Sequence, residues 1–383
     1  MDFEFTDDQL ALLDGARSVL ASACPPALVR SVHDGQSGDG PAGLWSTLCE
    51  LDWPGIAVAE SSGGLGLGFV EAGIVTEELG RVAAPVPWIS TVMQYGSVLR
   101  LSGDAARLAA VASGSVTGTF AVAEGGRWEP AAVRTTAVPA ADGSGGWVLS
   151  GTKSHVLDGA TAGEIAVVAR AEVGLGVFAV PGGAAGLSAT PIDVIDPTQP
   201  VANLRFDDVA VGADGVLVAP GDPGVDDLLA RALDESTVAV TLSTVAACRT
   251  IFEMTVQYAK DREQFGRPIG SFQAVKHRLA DCFLAVERAS ALAWFAALTI
   301  AEDDPRRSLA TSMAKSAAGD CQRLLSKDGL QLHGGVGFTW EHDLHFWLKR
   351  AVAGELLFGT STWHRARVAE LLGLHMDWIG SAS

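Results

Sequence analysis

Two stretches in the last third of the chain carry residue types that can handle a phosphorylated ligand. In YAKDREQFGRPIGSFQAVKHRLAD, residues 258–281, Arg262 can fork N–H groups onto phosphate oxygens, and Phe265 can pack against a flat ring. In QLHGGVGFTWEHDLHFWLKRA, residues 331–351, Gln331 offers an amide, and Gly334 and Gly335 let the backbone approach a ligand closely. Plainer readings stand beside these: an arginine–carboxylate bridge, a core phenylalanine, a loop that ends a helix. His333 sits among them with no Cys, His or acidic cluster at metal-ligand spacing. It reads as a packed or hydrogen-bonded residue, and no metal site is expected.

A proton-transfer group is harder to find. GELLFGTSTWHR, residues 354–365, offers Glu355, but three residues later stands Phe358, which cannot take a proton. Glu235 lies near the start of a long apolar stretch. It is either an exposed carboxylate favouring a helix start or a base turned inward. Glu341 and His342 suit loop positioning. No His–carboxylate pair of the kind that activates a nucleophile is visible.

The elements that must position these residues fall into three zones. Residues 1–115 read as helices: TDDQLALLDGARSVLASACP opens with a capping box from Thr6 to Gln9, and FVEAGIVTEELGRV reads as a helix stopped by Gly80. SSGGLGLG, residues 61–68, reads as a flexible loop. Residues 116–218 change to short Val-, Phe- and Ile-rich runs punctuated by Gly, Pro and Asp, a small β domain of barrel or stacked-sheet type. Residues 219–383 return to long helices, with Asp226 and Asp227 at the first start and Phe272, Val275, Leu279 and Phe283 near one face of the second; these suggest a bundle. No βαβ unit carries GxGxxG, so a Rossmann nucleotide domain is not expected.

The bulk numbers exclude some partners. The chain has 383 residues, 48% of them hydrophobic, enough for a core divided among two or three domains. The net charge of -18, with no basic run, argues against nucleic acid. Five cysteines without a CxxC pair fit a reducing compartment. No basic leader and no long charge-free run suggest a membrane span, so a cytoplasmic protein is the expectation.

The two glycine- and arginine-bearing stretches, together with the helix–β–helix order over the whole chain, resemble the acyl-CoA dehydrogenase family. The resemblance implies an α+β fold with an N-terminal helical domain, a middle β domain and a C-terminal four-helix bundle. It implies FAD held across a subunit interface, an acyl-CoA thioester as substrate, and an electron-transfer flavoprotein as acceptor. A carboxylate removes the α-proton while the flavin takes the β-hydrogen as hydride.

Carried over residue by residue, the resemblance gives Arg262 to the pyrophosphate of a neighbouring subunit's FAD and Phe265 to packing on that cofactor. Gln331, Gly334 and Gly335 fall on the segment that holds its adenosine and pyrophosphate. Gly359 and Thr360 match a cofactor-touching Gly-Thr, but the loop then departs from the family at Thr362 and His364. The usual base position is Phe358, and the alternative helix position is Ser236, one residue from Glu235. The β-domain stretches depart too: Ala123 stands for a hydroxyl residue, His155 for a tryptophan beside the flavin, and Leu157 for a hydroxyl that bonds it. Losses thus fall on the half of a site that a subunit uses itself, and retained residues on the half lent to a neighbour. That division resembles the partner subunit of actinobacterial α2β2 steroid side-chain dehydrogenases. The alternatives are a homomeric enzyme using Glu235 and a non-catalytic structural homologue.

Overall fold

The computed structural model describes residues 4–141, 143 and 145–374. Its first third is helical: α1 (Asp7–Ala23), α2 (Pro26–His33), α3 (Gly40–Glu50), α4 (Phe69–Arg81), then a π-helix (Ile89–Tyr95) running straight into α5 (Gly96–Ser102), and α6 (Ala105–Ala112). The capping box at the start of α1 forms as expected: the Thr6 hydroxyl accepts from Gln9 N at 3.2 Å, and the Gln9 side chain accepts from Thr6 N at 3.0 Å. Gly80 does not stop α4, which continues to Arg81. A Cβ there would lie 2.8 Å from Ser243 Cα, so the glycine serves a close helix crossing.

Eight strands follow: β1 (Gly118–Ala121), β2 (Thr136–Pro139), β3 (Trp147–Leu157), β4 (Glu164–Ala171), β5 (Gly174–Pro181), β6 (Leu187–Pro191), β7 (Val201–Val211) and β8 (Val216–Val218). They form one mixed sheet in the order β6-β7-β3-β2-β4-β5-β8, with β1 paired parallel to β4. Leu149 and Phe206 share an apolar cluster with Ile165, Val167 and Phe178, so β3 and β7 enclose a core with β4 and β5. Alternate residues of the same strands, Ala166, Val168 and Val177, face a second cluster shared with the helices. This double burial explains the near-continuous apolar reading of EIAVVARA.

The helical bundle begins with α7 (Val225–Asp261), whose first turn carries Asp226 and Asp227. A short hairpin, β9 (Glu263–Gln264) and β10 (Arg267–Pro268), leads to α8 (Gln273–Ala301). Then come α9 (Arg307–His333), α10 (Leu344–Leu356) and α11 (Ser361–Leu371). Helices α7 to α10 pack together and α11 lies on α9. By length and composition alone, α7 and α8 could each cross a membrane, which the sequence reading did not anticipate. In the fold they are bundle helices: 72% of the most apolar window of α7 is buried, but only 39% of that of α8.

The face of α8 read from the sequence is only partly covered. Phe272, Val275 and Leu279 are half-buried and Cys282, Val286, Ala289 and Ala293 point inward, whereas Phe283 stays 46% exposed and Leu284 65% exposed. A buried arginine ties the three regions together. Arg350 of α10 donates to Asp196 at 2.7 Å and to Thr198 at 2.6 Å in the loop between β6 and β7, and to the Ala84 carbonyl at 3.1 Å. These charge-assisted bonds fix α10, and with it the loop that follows.

Candidate functional site

The retained residues gather on open surface at one end of the bundle. Arg262 ends α7 and is exposed. Phe265 sits at the tip of the β9–β10 hairpin with φ +56° and is 92% exposed, the most exposed large apolar side chain among the described residues. Held at positive φ with its ring in solvent, it gains little from this chain's own packing beyond an edge-on contact with Phe272, ring centroids 6.0 Å apart. The hairpin base is stiffened by Arg267, whose guanidinium lies 4.2 Å over the Phe272 ring.

Gln331 is exposed in the last turn of α9. Gly334 ends that helix at φ +61° and ψ -144°, a combination open essentially to glycine alone. A Cβ at Gly334 or Gly335 would meet nothing within 4 Å, so both leave clear space above the backbone. His333 joins the two stretches, as a packed residue. Its ring stacks on Tyr258 of α7 with centroids 4.5 Å apart, and its Nδ1 donates to the Gly329 carbonyl at 2.8 Å. Burial lowers its pKa below the ordinary histidine value.

The second region is closed. Phe358, at φ +57° and 4% exposed, packs its ring against Trp128, with centroids 4.3 Å apart. Trp128 comes from VAEGGRWEP between β1 and β2, so the two family stretches that diverge in sequence meet here in space. The loop is held from behind by His364 of α11, which donates from Nε2 to the Phe358 carbonyl at 2.9 Å. Burial pushes the His364 pKa down to about 4, which keeps the ring neutral. Thr360 caps α11, accepting from Trp363 N at 3.3 Å, and the Trp363 indole donates to Glu129 at 3.2 Å. Gly359 has φ +97°, and a Cβ on it would meet Trp363 Cε3 at 2.9 Å.

Behind this wall lies a cavity of about 300 Å³, lined by Trp128, Phe358, Asp234, Thr237 and Trp363 among others. Glu235 is not in it. That carboxylate is 5% exposed and accepts from Ser97 and Arg100, on the side of α7 that lines a separate cavity of about 230 Å³. The exposed first-turn reading of Glu235 is therefore corrected: it lies inside α7, held by α5. Ser236 points its hydroxyl to the Ala232 carbonyl at 2.6 Å and is fully buried. Glu355 turns to the start of α11, accepting from Ser361 N at 2.9 Å.

On the β side, Leu157 is buried in the main apolar cluster, and Ala123 is buried as well. His155 occupies φ +54°. Sequence reasoning missed Trp128, Trp363 and His364 as a group. Their only signal in the sequence was the departure of the loop from the family pattern at His364.

Comparison with known proteins agrees with this architecture. The profile for the acyl-CoA dehydrogenase N-terminal domain matches residues 6–114, and that for the C-terminal domain matches residues 224–373. Acyl-CoA dehydrogenase IpdE2 of Mycobacterium tuberculosis is 29% identical over 90% of this chain and 91% of its own length. The ChsE4–ChsE5 complex from Mycobacterium tuberculosis superposes with TM-score 0.88 at 27% identity, covering 98% of this chain and 100% of the matched one. The Tcur3481–Tcur3483 steroid ACAD gives TM-score 0.83 at 29% identity, over 96% of this chain and 98% of the other.

The fold and the matched segments define a flavin-dependent oxidoreductase architecture. The chain belongs to the acyl-CoA dehydrogenase family, whose cofactor is FAD. The residues present fit that cofactor unevenly. The open glycine cradle and the exposed Arg262 and Phe265 suit its phosphates and adenosine. Trp128 and Phe358 instead pack on each other, and the buried Leu157 has no hydrogen-bond donor for a flavin ring.

Proposed function

We propose that this chain is the non-base-bearing subunit of a heteromeric, FAD-dependent acyl-CoA dehydrogenase. It completes a cofactor site whose reacting ring and base belong to a partner chain of the same family, in an α2β2 assembly. The observation that carries this is the pairing of a closed cleft, Trp128 on Phe358, with an open lending surface at Arg262, Phe265, Gln331, Gly334 and Gly335.

Each lent residue has a distinct task. Arg262 neutralises pyrophosphate charge with a planar fork. Gly334 and Gly335 present backbone N–H groups without a side chain in the way. Phe265 covers apolar cofactor surface and keeps water off it. Bound FAD supplies hydride acceptance, while a partner carboxylate takes the α-proton of the thioester. Gly359 and Thr360 here shape the closed loop and cap α11, a structural use of the family's Gly-Thr. The half-exposed apolar side of α8, with Phe283 and Leu284, supports burial against another subunit.

The substrate of the assembly is an acyl-CoA thioester, and electrons leave to an electron-transfer flavoprotein. The likeness to a steroid ACAD supports a bulky acyl group. The segments 1–115, 116–218 and 219–383 serve as the three domains of each such subunit.

The test is purification alone and with a co-encoded family member that has a carboxylate at the position equivalent to Phe358. Alone, the chain comes out colourless and inert toward acyl-CoA. Together, the two chains hold one FAD per pair and oxidise acyl-CoA. Full yellow occupancy with turnover by this chain alone sinks the proposal.

A further inference from the structure

The cavity behind Trp128 and Phe358 has a polarity that the family's reaction does not call for. Thr311 of α9 lines it, is 2% exposed, and its hydroxyl has no hydrogen-bond partner among the described residues. His364 also lines it at 3% exposure. Its Nε2 is spent on the Phe358 carbonyl, which leaves Nδ1 as a bare acceptor without a partner. Two buried polar groups left unsatisfied are destabilising unless something answers them.

The surroundings decide what can answer. Asp226, Asp234 and Glu129 bring three carboxylates to the lining against one cation, Arg367, which pairs with Glu370 at 3.5 Å. Asp234 is itself satisfied by Arg307 at 3.0 Å and Ser308 at 2.8 Å. A thioester oxygen only accepts hydrogen bonds, and coenzyme A phosphates are anionic, so an acceptor-rich, acidic lining disfavours both. The aromatic wall of Trp128, Phe358 and Trp363 favours an apolar body. A volume of about 300 Å³ is at the small end of ligand sites.

We infer that this closed cleft is a binding site for a compact, uncharged, largely apolar alcohol, whose O–H donates to His364 Nδ1 and whose oxygen is met by Thr311. The site goes beyond the lending role and does not depend on it. The ligand would reinforce the Trp128–Phe358 wall from inside and stabilise the closed form of the loop by mass action.

The probe is decahydro-2-naphthol, titrated calorimetrically into the full-length chain, beside its methyl ether and decahydro-2-naphthylamine. The alcohol should saturate one site per chain. The ether, which has lost the donor, should bind about tenfold more weakly. Thr311→Val should weaken the alcohol and the ether alike by about tenfold, because both keep the oxygen that Thr311 meets, while Thr311→Ser, which keeps the hydroxyl, restores both. FAD content of the co-purified pair should be the same for all three chains, which separates this site from the lending surface. No saturation, an ether as tight as the alcohol, an amine tighter than the alcohol, or Thr311→Val binding like wild type overturns the inference.

Discussion

Phe265 and Phe358 are the same residue type, both at positive φ and both beside a glycine, yet the fold treats them oppositely. Phe265 is held out on a hairpin tip, 92% exposed, where it contributes little to this chain's core. Phe358 is pressed into Trp128 and 4% exposed, where it fills a space that a catalytic loop would leave open. Both hold a backbone conformation that bulky side chains rarely adopt, and only the side-chain environment distinguishes them: one ring is presented to solvent and the other joins the core.

The largest effect should come from putting a carboxylate back. Phe358→Glu removes the ring contact and buries a charge beside Trp128. The cost should be about 3–5 kcal/mol, read as a lower urea midpoint at unchanged slope. Acyl-CoA turnover by the chain alone should stay at background, because on the proposed reading the reacting ring belongs to the partner chain. Turnover in that variant would mean that the closed cleft is one substitution from an active site, and the contrast between the two phenylalanines would fail.

The open surface should answer in the opposite way. Arg262→Ala and Phe265→Ala should change the stability of the isolated chain by less than about 0.5 kcal/mol, as exposed positions do. In the co-purified pair, Arg262→Ala should weaken FAD by roughly 10- to 100-fold, the loss of one charged phosphate contact at about 1.5–3 kcal/mol. Phe265→Ala should show a smaller loss of the same sign. Flavin absorbance per pair after gel filtration measures both. Unchanged flavin content would remove these residues from the cofactor.

The uneven legibility of the two regions has a physical cause. Arg262, Gln331, Gly334 and Gly335 could be singled out because two contiguous family-like motifs carry them, and the fold leaves all four exposed; their cofactor role is the proposal above. The Trp128–Phe358 wall was not readable, since it joins a β-domain loop to a bundle loop and only the tertiary fold brings them together. Gly80 was misread for the same reason. Its local signal is a helix stop, but its use is the close crossing with Ser243 on α7. The outward face of α8 followed helical periodicity correctly, yet periodicity cannot say whether an apolar stripe meets this chain's core or another subunit. Glu235 was placed one position from the family's helix carboxylate, and that one step turned it toward α5 and away from Phe358's cavity.

A smaller effect tests the back of the closed loop. The folded chain holds His364 neutral down to about pH 4, whereas an unfolded histidine takes a proton near 6.5. Between those values the unfolded state binds more protons, so this residue's contribution to stability is present above 6.5 and is lost as pH falls toward 4. His364→Gln should flatten that part of the stability–pH curve by roughly 2 kcal/mol, after allowance for relaxation of the site. Asp158, whose pKa burial raises to about 6, works in the other direction over part of the window. The difference between variant and wild type, followed by urea unfolding at several pH values, isolates His364. A parallel pair of curves would mean that His364 is protonated without cost and does not hold the loop shut.

The smallest change should be Glu235→Gln. Its carboxylate joins Ser97 and Arg100 of α5 to α7, and Arg100 is 41% exposed. Both donors use one carboxylate oxygen, so the amide oxygen can keep both bonds, and what is lost is the charge facing a solvated arginine. The cost should be about 1 kcal/mol of stability. Acyl-CoA turnover of the co-purified pair should not move, because this side chain lines a different cavity from the one that Phe358 closes. A base, by contrast, would be recognised by a fall in kcat of several orders of magnitude with FAD content and stability intact. That result would transfer the proton-abstracting role to α7 and make the closed Phe358 loop a secondary feature of an enzyme that works by itself.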